Sequence, residues 1–168
     1  MKRIVSIILI FLMLLPLVAC GQQKADIKDP VNFYYRTKDP AQNDTVISKE
    51  LGEAADHRED YPYLIGQYLK GPNDEVLQRT FPSGISVVDL QIDGNSATLI
   101  LSDFFSTLSG LDLTLACSCL TLTVCELTGT DQLTIRTQTT LLDGNKKITM
   151  ALKDIVLLDN CREAIEPN

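Results

Sequence analysis

The chain of 168 residues is poorly supplied with the groups that do chemistry. It holds one histidine, His57, in a charged stretch. No G-x-S-x-G elbow feeds a serine to it, so a catalytic triad lacks both its turn and a placed base, and His57 reads as a solvent-exposed side chain. H-E-x-x-H, the P-loop and G-x-G-x-x-G are missing as well, which removes zincins, NTPases and Rossmann enzymes together. Five cysteines are present without a C-x-x-C pair, so no structural zinc spacing exists and neither a metal nor another cofactor is expected. Positive charge is scarce: 15 Lys and Arg stand against 22 Asp and Glu, a formal net charge of −7. With a pI near 4.6 the long-range field repels phosphate backbones, and nucleic acid is excluded as a partner. There is no internal repeat and no low-complexity tract.

What is present begins with an address. Lys2 and Arg3 precede an apolar run from Ile4 to Ala19, too short for the ~18–20 residues that span a bilayer as a helix. The run ends in Leu17-Val18-Ala19-Cys20-Gly21, which resembles a bacterial lipobox: the Cys20 thiol takes a diacylglyceryl group and the peptide is cut between Ala19 and Cys20. Two acyl chains, at about 0.8 kcal/mol per buried methylene, hold a protein stably on a membrane. Residues 1–19 are therefore expected as a lipoprotein signal peptide, residues 20–30 as the lipidated cysteine and a polar tether, and residues 31–168 as one domain on the extracytoplasmic face of the cell membrane. Cutting nineteen residues from 168 leaves 149, and losing Lys2 and Arg3 moves the charge from −7 to −9. A body of that size buries roughly 70% of its unfolded surface and needs no staple.

Folded sequence starts at Val31. Val31-Asn32-Phe33-Tyr34-Tyr35-Arg36-Thr37 predicts a strand, with a short second one around Val46 and Ile47. Leu64, Ile65, Tyr68 and Leu69 share one helical face, Asp60 caps that helix with Pro62 just inside, and Gly71-Pro72 stops it. Asp56, Glu59 and Asp60 read as a solvated face near the helix N-terminus, favoured by the dipole, in preference to a cation site. Alternation on both sides of Asp93-Gly94 predicts a hairpin of two strands, each with one buried face. Asp89, Asp93 and Asp103 lie around it, where turns favour aspartate, and nothing sets two of them at a glycosidase separation.

From Leu111 to Leu127 both periods compete. Leu113, Cys117, Leu120, Val124 and Leu127 step four and three, so a helix is predicted, stopped by Gly129 and leaving Thr114, Ser118, Thr121 and Cys125 as a small-polar stripe. On a helix Cys117 and Cys119 point apart and read as free thiols packed as small hydrophobes. Of the three pairings open to the four body cysteines, Cys125 with Cys161 is the disulfide worth testing, though all four could be reduced in a host with little disulfide machinery. A strand over Gln132 to Thr137, a turn at Asp143-Gly144 and an apolar closing segment from Ile148 to Leu158 complete the chain.

Tyr68-Leu69-Lys70-Gly71-Pro72, Phe81-Pro82-Ser83-Gly84-Ile85, the strand pair about Asp93-Gly94 with Leu101-Ser102-Asp103-Phe104, Leu122-Thr123-Val124, Gln132 to Thr137 and the aromatic strand Val31 to Tyr35 together resemble the GerMN domain of sporulation and spore germination. The resemblance covers most of the mature chain. It implies an α+β domain, a small mostly antiparallel sheet with two helices packed on one face, similar to ring-building modules. It implies a sporulation or germination role, with no catalytic residue to carry over. The expected function is that of a non-catalytic, membrane-anchored scaffold touching another envelope protein or itself. The alternative is a module binding peptidoglycan or a small ligand through Tyr34, Tyr35, Tyr61, Tyr63 and Tyr68.

Overall fold

Strand β1 (Pro30–Thr37) buries Val31, Phe33, Tyr35 and Thr37 and leaves Asn32, Tyr34 and Arg36 half-covered, the period-two pattern its sequence predicts. The structure, a computed structural model, describes residues 27–43, 45–103, 107–138 and 147–155. The cleavage and lipidation positions Ala19 and Cys20, the Cys161 partner of the candidate disulfide, Phe104 and the turn at Asp143-Gly144 lie outside the described residues.

After the single turn α1 (Pro40–Asn43), strand β2 (Ile47–Glu53) runs antiparallel to the whole of β1, from Pro30 opposite Glu53 to Arg36 opposite Ile47. The sequence predicts only a short strand around Val46 and Ile47. The strand instead continues to Glu53, followed by a 3-10 turn at Ala55–His57. Its polar run Ser48-Lys49-Glu50 carries no apolar alternation, so pairing with β1, not its own pattern, makes it a strand. Gly52 permits the pairing: a Cβ there would lie 2.4 Å from Cε2 of the Phe33 ring.

Helix α2 (Tyr61–Leu69) forms as expected. Asp60 accepts a hydrogen bond from the Tyr63 amide at 3.1 Å, and Leu64, Ile65, Tyr68 and Leu69 are buried. The two-residue β3 (Leu77–Gln78) closes a three-stranded sheet in the order β2-β1-β3.

β4 (Val87–Asp93) and β5 (Ser96–Leu101) make the expected hairpin, with Asp93 opposite Ser96. β5 buries Ala97, Leu99 and Leu101. The expectation of a buried face on β4 is corrected, because Val88 and Ile92 are 43% and 45% exposed. A bulge between Val87 and Asp89 breaks the alternation, and β4 is the outer strand of a sheet ordered β4-β5-β6-β7.

α3 (Gly110–Thr128) resolves the ambiguous segment as a helix, ended by Gly129 in the left-handed region at φ 69° with its amide bonded to the Cys125 carbonyl. It carries the chain from β5 to β6 (Gln132–Thr137), which lies parallel to β5, and β7 (Lys147–Ala151) returns antiparallel. The fold is α+β, its strands divided between one antiparallel and one mixed sheet. One core of Phe33, Tyr35, Leu64, Tyr68, Leu99, Leu120 and Ile135 joins them.

Candidate ligand groove and the tether end of the domain

The chain meets its body at Lys28 and Asp29. The Asp29 carbonyl accepts from the Ala54 amide at 3.0 Å and the Lys28 carbonyl from the Ala55 amide at 3.2 Å. Arg58 Nη1 donates to Asp29 Oδ1 at 2.9 Å and to the Pro30 carbonyl at 3.1 Å, and Lys28 Nζ pairs with Asp56 Oδ1 at 2.9 Å. Asp29 and Ala55 both adopt positive φ, 54° and 49°, a conformation that costs a non-glycine residue about 1–3 kcal/mol and persists where surrounding bonds over-determine it. The acidic cluster thereby resolves into structural parts: Asp56 holds Lys28 and Asp60 caps α2.

The five tyrosines meet different fates. Tyr35 and Tyr68 are 1% exposed, their rings stacked at 4.8 Å. Tyr35 donates its hydroxyl to the Tyr68 carbonyl at 2.9 Å, and the Tyr68 and Thr80 hydroxyls lie 2.7 Å apart. Burial drives both phenols well above the ordinary tyrosine range. Tyr34 donates to Glu126 Oε2 at 2.7 Å, and its phenol is pushed up to about 12 by burial and then by that carboxylate. Tyr61 packs against the core. Tyr63 is 39% exposed, stacked on His57 with centroids 3.9 Å apart. Expecting all five as ligand platforms is thus corrected to one exposed ring, because the others are spent on the core and on Glu126.

That ring borders a groove of about 290 Å³ between α2 and the β1–β2 pair, lined by Phe33, Tyr35, Tyr63, Gln67, Glu50 and Glu53 among others. Glu50 is committed: its two carboxylate oxygens accept from the Asn73 amide, both at 3.0 Å, from Asn73 Nδ2 at 3.0 Å and from the Asp74 amide at 3.3 Å. The groove therefore offers the exposed Tyr63 ring, the Glu53 carboxylate and Lys70, whose ammonium donates to Gln67 Oε1 at 2.8 Å, a set suited to holding a polar ligand.

The other candidates take structural roles. His57 is half-exposed, its Nδ1 3.7 Å from Asp60 Oδ2. Asp89 accepts from the Leu90 amide at 2.9 Å and from Gln91 Nε2 at 2.8 Å, supporting the bulged strand, and Asp93 lies exposed at the hairpin turn. Cys117, Cys119 and Cys125 are buried, and burial raises the Cys117 and Cys119 thiols to about 12, so neither is a nucleophile at neutral pH. Among the described residues no group of three His, Cys, Asp or Glu side chains could hold a metal ion.

One feature escaped sequence reasoning. On the side that faces β1, α3 presents Asp112, Thr123 and Glu126. Arg36 Nη1 meets Asp112 Oδ1 at 2.6 Å, the Tyr34 amide donates to Thr123 Oγ1 at 3.0 Å, and Asn32 Nδ2 donates to Glu126 Oε1 at 2.5 Å. The signal was there: Asp112, Ala116, Cys119, Thr123 and Glu126 step four, three, four, three beside the apolar stripe. α3 is also long and apolar enough to cross a membrane, yet its middle is fixed here as a core helix, with Ala116, Cys117, Cys119, Leu120 and Val124 at 0% exposure.

Residues 32–143 match the family described as Germane, sporulation and spore germination, and the chain belongs to it. Its fold is similar to the first GerMN domain of the sporulation protein GerM from Bacillus subtilis, at TM-score 0.55 and 15% identity over 73% of this chain and 96% of that one. It is similar also to the tandem GerMN domains of the same protein, at TM-score 0.50 and 15% identity over 73% of this chain and 43% of that one. At that identity the likeness is one of fold. No curated protein matches the chain. The GerMN resemblance read from the short motifs is borne out.

Proposed function

We propose that this GerMN protein is an envelope lipoprotein, cut before Cys20, diacylated on that sulfur, and held on the extracytoplasmic face of the cell membrane. Its domain acts there without catalysis, as an interaction module for another envelope protein or a second copy in sporulation or germination. The observation that carries the reading is the tether end: a lipobox eight residues ahead of a junction where Lys28, Asp29 and Pro30 are bonded to Ala54, Ala55, Asp56 and Arg58. Eight residues reach at most about 28 Å when extended, so the pinned body stands within that distance of the lipid surface. Carboxylates and thiols occupied in packing and capping suit a binding surface better than a reaction centre.

Palmitate labelling and membrane fractionation test the anchor. The chain should carry label and sediment with membranes, and Cys20→Ala should lose both. A Cys20→Ala chain that stays labelled and membrane-bound would sink the reading. In the host, deletion should lower the yield or germination of spores, restored by the parent gene and not by Cys20→Ala.

The groove beside the tether end favours a second reading, in which the exposed Tyr63 ring receives peptidoglycan or a small polar ligand. Saturable co-sedimentation with isolated sacculi, weakened several-fold by Tyr63→Ala, is the expected result. Equal sedimentation of parent and variant would remove the groove from consideration.

A further inference from the structure

The four-stranded sheet turns Leu99, Leu133 and Ile135 toward the core, so the alternate positions Thr98, Thr134, Arg136, Lys147 and Thr149 line its opposite face. The register sets Thr98 directly across from Thr134, Thr134 across from Thr149, and Arg136 across from Lys147. Two cations thus oppose each other in a chain whose net charge is −7, an arrangement that destabilises a strand pair by itself. Among the described residues no carboxylate pairs with either. Thr98, Thr134, Arg136 and Lys147 line one depression of about 320 Å³.

We propose that this depression is a binding site for a phosphate group. Arg136 supplies a planar fork of N–H donors and Lys147 a mobile ammonium. The Thr134 and Thr149 hydroxyls, 3.0 Å apart, share one hydrogen between them and leave the other free to donate, as does Thr98. This set of cationic and hydroxyl donors matches the charged oxygens of a phosphate, monoester or diester. The acidic character of the chain does not defeat the site: among the described strand residues the carboxylates on this face, Asp89 and Asp93, belong to β4, two strands or about 10 Å from β6, beyond the ~8 Å Debye length at physiological ionic strength. A phosphate seated between Arg136 and Lys147 also removes their mutual repulsion. The inference is independent of the anchoring role and of the groove at Tyr63.

The test uses the chain from Gly21 onward, which contains every residue of the described fold. Inorganic phosphate is titrated at constant ionic strength while amide resonances are followed by NMR. Saturable shifts are expected at Thr98, Thr134, Arg136 and Lys147, where sodium chloride gives none. Arg136→Gln and Lys147→Gln should each weaken binding about tenfold or more, the worth of a charge-assisted hydrogen bond, and Lys153→Gln on the adjoining turn should leave it unchanged. Shifts equal to those with chloride, or shifts that persist in the Arg136→Gln, Lys147→Gln double variant at an unchanged melting temperature, overturn the proposal. Flotation with phosphatidylglycerol vesicles that the double variant loses would assign the phosphate to a lipid headgroup, and phosphate shifts without flotation would assign it to a soluble ester.

Discussion

The two sides of α3 solve different problems. Toward the four-stranded sheet the helix meets the face of β5 and β6, where Leu99, Leu133 and Ile135 are at 0% exposure and packing is a matter of hydrocarbon. Toward β1 it meets the side of the strand that the two-residue β3 covers only at Arg36 and Thr37, and an uncovered edge presents amides that need acceptors. Thr123 supplies one to Tyr34, while Glu126 and Asp112 hold the Asn32, Tyr34 and Arg36 side chains. A helix buried between the face of one sheet and the edge of another cannot be apolar throughout, and Thr123, Glu126 and Asp112 answer the edge.

Alkali should break both sides at once and gives the largest expected effect. The Cys117 and Cys119 thiols rise from an ordinary 9.0 to about 12 in the fold. A folded value above the unfolded one means the native state holds the proton more tightly. The associated stability is fully present below about pH 9 and is lost as pH climbs through about 12, with the buried phenols of Tyr35 and Tyr68 adding in the same direction. Thermal melts should fall steeply across that window, and a flat profile would mean that the thiols are not buried.

Breaking the apolar side alone comes next. Leu99→Ala should cost about 2–5 kcal/mol in urea unfolding, the range for deleting a fully buried leucine. Gly52→Ala drives a methyl into the Phe33 ring and should cost about 1–3 kcal/mol by the same measurement, through β2 and not through α3. On the polar side, Thr123→Val keeps shape and removes the acceptor of the Tyr34 amide, an expected loss of about 1–3 kcal/mol. A loss as large as that of Leu99→Ala would show the edge seam to be as important as the face. Asp112→Asn breaks an ion pair whose carboxylate is 62% exposed and should cost under about 1 kcal/mol, shrinking with added salt.

How much of this could be read beforehand varied with the kind of signal. α2 was visible because cap, proline and apolar face all agree, and the hairpin because alternation flanks Asp93-Gly94. β2 was not, since Ser48-Lys49-Glu50 has no pattern of its own and becomes a strand through pairing with β1. The buried face expected of β4 failed at a bulge that no local rule marks. At the candidate sites, residue type does not separate Tyr63 from four other tyrosines that only packing tells apart, and no local pattern marks the groove beside it.

The sequence by itself determined α2, α3 and the hairpin, because capping, periodicity and turn chemistry act between residues a few positions apart, and its short motifs carry the resemblance that implies the α+β class and the GerMN family. Tertiary structure alone decided that the strands divide into two sheets, that Glu50 serves a loop 23 residues away, that Arg136 opposes Lys147, and that α3 carries a polar seam. These depend on which segments meet in space, and strand pairing across long separations is set by the summed burial of the whole core.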